Sequence, residues 1–241
     1  MLDWLKADPR EDPMITVGDT QLPIIVRRHA RAKRLILRLA PDGSAVRVTV
    51  PTWCRTAEAL DFARSRQDWL ENQLARLPAS TPACDGSTIA LCGQPLIIEH
   101  DTAAPRKPVI ADHRVRLGGP AASLASRLKR WLESEARAHL AADLAHYCEL
   151  AGKNAPPLAL SNARRRWGSC ATNGTIRINW RLIMAPDFVR RSVVAHEVAH
   201  LVHFDHSPRF HALLDELFEG DINAANHWLK SHGRGLYGPF G

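Results

Sequence analysis

The chain has 241 residues, 45% hydrophobic and 24% charged, with a net charge of +7 and a pI near 9.5. That length holds one large or two small globular domains with a real core. No apolar run approaches the ~18–20 residues of a membrane span, so a membrane-spanning protein is excluded. The five cysteines (54, 84, 92, 148 and 170) are odd in number and form no C-x-x-C pair. They read as reduced thiols, neither a disulfide frame nor a Cys-rich zinc site. Residues 1–13 carry Asp3, Asp8, Glu11 and Asp12 and no apolar core, so no signal peptide is expected and the cytoplasm is the expected compartment. The basic balance allows nucleic-acid contact, and a solvated basic surface explains it equally well.

Residues 1–21 read as a poorly ordered polar lead-in. Leu22 to Val26 is a short apolar run, and Arg27, Arg28, Arg31, Lys33 and Arg34 follow with no acidic residue among them. Leu35, Leu37 and Leu39 then alternate with other residues. Pro41-Asp42-Gly43 signals a turn, and Val46, Val48 and Val50 alternate with Arg47 and Thr49. A β-hairpin is expected. Its basic first half is either an edge strand guarded by charge or a surface for the phosphates of DNA or RNA. Thr52 or Thr56 can cap a helix through Leu60, Phe62, Ala63, Trp69, Leu70, Leu74 and Leu77, stopped by Pro78. After a linker-like break at 82–86, short strands are expected at 89–91, 96–98, 109–111 and 115–117. This α+β module, residues 1–118, has no catalytic spacing anywhere.

Gly118-Gly119-Pro120 marks a boundary, and residues 119–241 form the second expected domain. An amphipathic helix from about 121 to 151 buries Leu124, Leu128, Trp131, Leu132, Ala136, Leu140, Leu144 and Tyr147, with Gly152 as C-cap. His139 and His146 lie on it without a carboxylate or cysteine at ligand spacing, and read as surface or packing residues. Leu158 to Leu160 and Thr175 to Trp180 are expected to pair as a hairpin, with Asn173-Gly174 as a turn. Between them Arg164, Arg165 and Arg166 are either a charged loop or the rim of an active cleft. Gly168 permits a bend or a close backbone approach. Cys170 is set aside as a nucleophile because no base is placed for it.

The stretch with chemistry is His196-Glu197-Val198-Ala199-His200, an H-E-x-x-H pattern. Pro186 and Asp187 open a helix there, and Phe188, Val189, Val193, Val194, Val198, Leu201 and Val202 recur at helical spacing. One turn apart on a helix, His196 and His200 have Cβ atoms roughly 5–6 Å apart. Two imidazoles so placed can share one zinc ion, with Glu197 beside them as general base. Seven of the 12 histidines fall from His196 onward. His203 shares the helical face, but three ligands in a row span about 10 Å, too far for zinc–nitrogen bonds near 2.0–2.1 Å. His206 lies where Ser207 and Pro208 cap and start a new helix, so the turn swings it back over the metal. Three histidines leave a fourth position open, as hydrolytic zinc requires, with one Zn2+ per chain. Beyond it, Phe210, Leu213, Leu214, Leu217 and Phe218 mark a core-facing helix closed by Gly220. Asp221 or Asn223 caps a last helix, and the tail from Gly233 is expected to be mobile.

Residues Arg166-Trp167-Gly168-Ser169-Cys170, Ile178-Asn179-Trp180-Arg181-Leu182-Ile183, Pro186, His196-Glu197-x-x-His200 and His206-Ser207-Pro208-x-Phe210 occur in that order. In them the second half resembles the YgjP-like branch of the SprT-like zinc metallopeptidases, and with the basic hairpin the resemblance spans residues 22–232. It implies an α+β fold, with a small hairpin-and-helix module before a compact zincin-type domain built on an active-site helix. It also implies His196, His200 and His206 as ligands, Glu197 as base, and a protein or peptide substrate. The metzincin pattern does not fit: His203 stands where its glycine would be, and the methionines, at 1, 14 and 184, all lie upstream.

The expected function is peptide-bond hydrolysis by a zinc-bound water that Glu197 activates. Candidates for a second oxyanion group are His227, His232, Tyr237 and Arg166, and Asp205, Asp215 or Glu216 can orient the ligands. The alternative is a nucleic-acid-associated protein whose protease acts on DNA-bound proteins or whose zinc site is mainly structural. The SprT-like group includes proteases of DNA-bound proteins, which is analogy. An intact Glu197 favours catalysis over a structural site, and over an interaction module with a vestigial site.

Overall fold

The structure, a computed structural model, describes residues 13–40, 43–75 and 82–240. The chain divides into two compact units, Met1–Pro78 and Ala79–Gly241. Both are α+β, and each has its own hydrophobic core.

In the first unit, β1 (Met14–Val17), β2 (Thr20–Arg28), β3 (Ile36–Leu39) and β4 (Val46–Val50) form one sheet in the order β1-β2-β4-β3. β3 and β4 make the expected hairpin, antiparallel from Ile36↔Thr49 to Leu39↔Val46. Pro41 and Asp42 of its turn lie outside the described residues. Residues 14–21 are not a lead-in. β1 folds back on β2 through Gly18 at φ +57 and buries Ile15 and Val17. Its alternation lasts four residues, too short to stand out among polar neighbours. Residues 1–12 of the expected lead-in lie outside the described residues. The single expected helix is two, α1 (Thr56–Arg64) and α2 (Gln67–Ala75), and Arg55 rather than a threonine holds the N-cap. Its amide donates to Glu58 Oε2 at 3.2 Å. Ala59, Ala63 and Leu70 close the core over Val46, Val48 and Val50. Leu77 and Pro78, the expected helix end, lie outside the described residues.

The second unit opens with β5 (Thr88–Leu91), β6 (Gln94–His100), β7 (Val109–Ala111) and β8 (Arg114–Leu117), in the order β5-β6-β8-β7. The units part at Pro78, well before the Gly118-Gly119-Pro120 break. Packing is the reason: Ile89, Leu96, Ile98, Val115 and Leu117 share one core with Leu124, Leu128 and Leu132 of the next helix, α3 (Leu124–Leu150). α3 ends as its glycine dictates. Gly152, at φ +62, donates to the Glu149 carbonyl and Lys153 to that of Cys148, closing the last turn.

β9 (Leu158–Ser161), β10 (Gly168–Cys170) and β11 (Ile176–Asn179) form a third sheet in the order β10-β11-β9. β11 makes its hairpin with β10, and β9 runs parallel to it. The Asn173-Gly174 turn joins the strands that directly flank it, so the expected pairing of 158–160 with 175–180 as a hairpin is corrected. A 3-10 stretch, Trp180–Met184, leads to α4 (Asp187–Ala199), then α5 (Pro208–Leu217) and α6 (Ile222–His232), which Asp221 caps. The tail is packed: Gly233–Tyr237 is a 3-10 turn with Leu236 and Tyr237 buried. Gly241 lies outside the described residues. Among the described residues no helix is long and apolar enough to cross a membrane.

α4 is the centre of this unit. Val189, Val193, Val194, Ala195, Val198 and Ala199 are all buried. A buried ion pair ties it to α3: Arg190 Nε lies 2.7 Å from Asp143 Oδ2, and Arg190 Nη1 reaches Asp187 Oδ1 at 2.5 Å. Removing one partner leaves the other charge buried without compensation. Asp143→Ala should therefore lower the unfolding free energy by about 3 kcal/mol, while replacing Asp143 and Arg190 together by leucines costs far less. Urea unfolding of the two variants checks this. Equal losses would show that the pair contributes only through packing.

Candidate metal centre

α4 stops where the chemistry begins. His200 is its C-cap, and the amides of Val202 and His203 both bond the Ala199 carbonyl as the chain turns. Asp205 Oδ1 then accepts the Ser207 amide at 3.3 Å, and Ser207 and Pro208 start α5. This reversal brings His206 back to the last turn of α4. The ring nitrogens of His196, His200 and His206 offer ligand atoms all within 4.8 Å of one another. His206 Nε2 lies 3.4 Å from His196 Nε2. Two nitrogens bound to one tetrahedral zinc at ~2.0–2.1 Å are themselves ~3.3–3.4 Å apart. The spacing therefore fits a single ion of that size, and three imidazoles without a thiolate suit zinc.

The rings are held in place from two sides. His200 Nδ1 lies 3.1 Å from the His203 carbonyl, which leaves Nε2 turned to the other rings. Phe210, in the first turns of α5, packs against all three, with centroids 5.0, 4.5 and 4.9 Å from those of His196, His200 and His206. Burial pushes the His196 ring down to about 4, and the nearby rings of His200, His206 and His211 add to this. The ring is therefore neutral, the form that binds metal.

Glu197 is only 5% exposed. Burial pushes its carboxyl up to about 7, while the Arg166 charge and a hydrogen bond from the Cys170 backbone pull the other way. A base near neutrality is well matched to moving a proton at ordinary pH. β10 is what confines it. A Cβ on Gly168 would stand 2.7 Å from Glu197 Cγ and 2.8 Å from its Cδ, so any side chain there forces Glu197 to move.

The other expected candidates fall elsewhere. The Tyr237 hydroxyl donates to the Ala163 carbonyl at 2.9 Å and accepts from Asn179 Nδ2 at 3.1 Å. His227 and His232 are exposed on α6, and His232 stacks on Trp228. Asp205 accepts the Ser207 amide and its charge also reaches the His200 ring, while Asp215 and Glu216 are exposed on α5. The carbonyl of His203 therefore does the orienting expected of a carboxylate. His139 and His146 stay on α3, outside the histidine group. Burial, with the Glu197 charge, pushes the Cys170 thiol up, away from the thiolate a nucleophile needs. Phe210 and Gly168 were legible as a core residue and a close approach, but their partners were not.

Two mutually consistent features thus define a class: an α+β unit whose buried helix carries H-E-x-x-H, and a third histidine returned to it by a turn. A family model described as YgjP-like, metallopeptidase domain, matches residues 33–232, the greater part of the chain. The chain belongs to the YgjP-like metallopeptidase family. No curated protein and no solved structure matches it.

Gly168→Ala should push the Glu197 carboxylate aside while leaving the three histidines untouched. A displacement of about 1 Å in a reacting group lowers rate by roughly 10²-fold. Peptidase activity should fall by that order with metal content unchanged. Full activity in this variant would show that β10 does not set the position of Glu197.

Proposed function

We propose that the chain is a zinc-dependent peptidase in which His196, His200 and His206 hold one Zn2+ and Glu197 is the general base. The observation that carries this is the convergence of three imidazoles within 4.8 Å next to a buried carboxylate. Zinc held by these three rings would supply Lewis-acid chemistry, polarising the scissile carbonyl and lowering the pKa of the attacking water toward ~7. Glu197 orients that water, accepts its proton and delivers it to the leaving amine. The Cys170 backbone hydrogen bond keeps the carboxylate aimed through both transfers. Of the four oxyanion candidates, Arg166 is the one whose charge reaches Glu197, and that supports it over Tyr237, whose hydroxyl is already engaged. The substrate is a protein or peptide. Five free cysteines accord with a reducing, cytoplasmic setting.

One set of variants tests the reading. Wild-type protein purified without chelator should carry about one zinc per chain and cleave an unfolded protein substrate. Glu197→Gln should keep the zinc and lose at least about 10²-fold in rate, because its amide accepts no proton. His206→Ala should lose zinc to a competing chelator. His203→Ala should keep it, since its carbonyl survives the change. Undiminished cleavage by Glu197→Gln, or the opposite ranking of the two histidines, would overturn the assignment.

A second reading rests on a separate observation: Arg27, Arg28, Arg31, Lys33 and Arg34 are all exposed. If they contact the phosphates of DNA or RNA, binding weakens steeply with salt, and each cation removed lowers the slope by about one unit. Absence of binding at low salt would dismiss it.

A further inference from the structure

β3 is the last strand of its sheet. One edge pairs with β4, and among the described residues no strand pairs with the other. A free edge presents a row of unpaired N–H and C=O groups that a second chain can continue. Charge usually blunts such edges, and here Arg38 is exposed on the strand and Lys33 and Arg34 just before it. The free edge does not simply face solvent, however. A groove of about 470 Å³ runs beside it, with five consecutive residues, Arg34 to Arg38, on one wall. Phe62 of α1, Arg66 between the helices and Trp69 of α2 form the other wall.

The two walls specify an occupant. A groove between a strand edge and a helix suits an extended chain, whose backbone pairs with the edge while alternate side chains enter the groove. Trp69 is 44% exposed and Phe62 half-buried, so apolar side chains have a surface to cover. Among the described residues three guanidiniums line the groove and no carboxylate does, and Arg66 lies over the Phe62 ring at 5.8 Å. Guanidinium forks match carboxylates. We propose that this groove binds an extended, acid-rich peptide segment of a partner protein, added as a fifth strand alongside β3, with its carboxylates on Arg34, Arg38 and Arg66. Guanidiniums and aromatic rings would also receive a single-stranded nucleic acid. The strand edge decides for the peptide, because only a peptide backbone continues its ladder. This site is independent of the metal centre and stands whether or not the chain is a zinc peptidase.

The test is anisotropy of a labelled peptide of alternating Val and Glu on the full chain carrying Glu197→Gln, so that the probe is not consumed. Two further peptides are N-methylated, one on the Val amides and one on the Glu amides. In an added strand alternate amides point to the same side. One methylated peptide should therefore lose about tenfold or more in affinity and the other little. A Val–Lys peptide should bind at least about tenfold more weakly than Val–Glu, and so should the Glu peptide on Arg34→Glu/Arg38→Glu or Trp69→Ala protein. The peptide-side comparisons hold even if a protein variant folds poorly. The proposal is overturned if the Val–Glu peptide does not bind, if both methylated peptides behave alike, or if the Lys peptide binds as well. It is also overturned if an oligothymidylate binds more tightly and is lost in the same protein variants.

Discussion

A carboxylate kept out of water is the constraint on which the second unit depends. Burying Glu197 unsatisfied costs several kcal/mol, so its surroundings must be built to hold it. Gly168 makes room, the Cys170 backbone donates a hydrogen bond, and Arg166 adds a favourable charge. Each of these comes from β10 or its approach, so β10 must be fixed. Among the described residues its only strand partner is β11, which runs straight into Asn179. The Asn179 amide bonds the Trp167 carbonyl at 2.7 Å, and its side chain bridges the Arg181 amide, the Ala163 carbonyl and the Tyr237 hydroxyl. Arg181 in turn lies between the rings of Trp180 and Tyr237, 4.5 Å from each centroid. The Arg-Trp-Gly-Ser-Cys and Ile-Asn-Trp-Arg-Leu segments are thus one support for one side chain, and the C-terminal turn that carries Tyr237 closes it.

The histidines obey a different demand. A helix offers two ligands one turn apart, and a third on the same face stands too far along the axis. α4 resolves this by ending. With His200 as C-cap the chain is free to turn, and the Ser207-Pro208 start of α5 fixes where it turns to. The turn also places the His203 carbonyl where it holds His200 Nδ1, and Phe210 under all three rings. A backbone carbonyl serves as well as a carboxylate for setting a tautomer, and it adds no charge next to the three rings.

What the sequence disclosed follows from range. The H-E-x-x-H spacing, the Ser-Pro helix start, the α3 stripe with Gly152 and the β3–β4 hairpin are signals written within a few residues. The Gly168–Glu197 contact joins positions far apart in the chain, and only the glycine itself hinted at it. The parallel pairing of β9 with β11 had no local sign, because a parallel partner comes after a crossover rather than a turn. The division of the chain into units at Pro78 was not legible for a related reason. Gly118-Gly119-Pro120 is a turn signal, and a turn between packed elements reads like one between domains. Whether Leu117 and Leu124 meet in one core is a matter of packing. β1 was hidden by its shortness, although Gly18-Asp19 between two alternating stretches is a hairpin turn in type.

The two four-stranded sheets share one topology. Each has an antiparallel pair, then a parallel pairing of its second and fourth strands, then an outer strand antiparallel to the fourth. Each therefore has an outer hairpin strand, β3 in one and β7 in the other, whose far edge pairs with no strand among the described residues. Their chemistry differs. Beside β7, Arg116 lies 2.7 Å and Arg114 3.7 Å from the carboxylate of Glu99, so the local charge is largely offset. β7 is also only three residues long, with Val109, Ile110 and Ala111 exposed. The cavity near it is lined by Glu99, Asp112, Arg114 and Arg116, two acids against two bases. Beside β3, Arg34, Arg38 and Arg66 face a groove with no acid in its lining among the described residues, and Phe62, Arg66 and Trp69 form the opposite wall. An edge needs an uncompensated charge to choose its partner and a facing wall to grip the partner's side chains. Shared topology supplies an edge to both sheets, and only the first adds the other two.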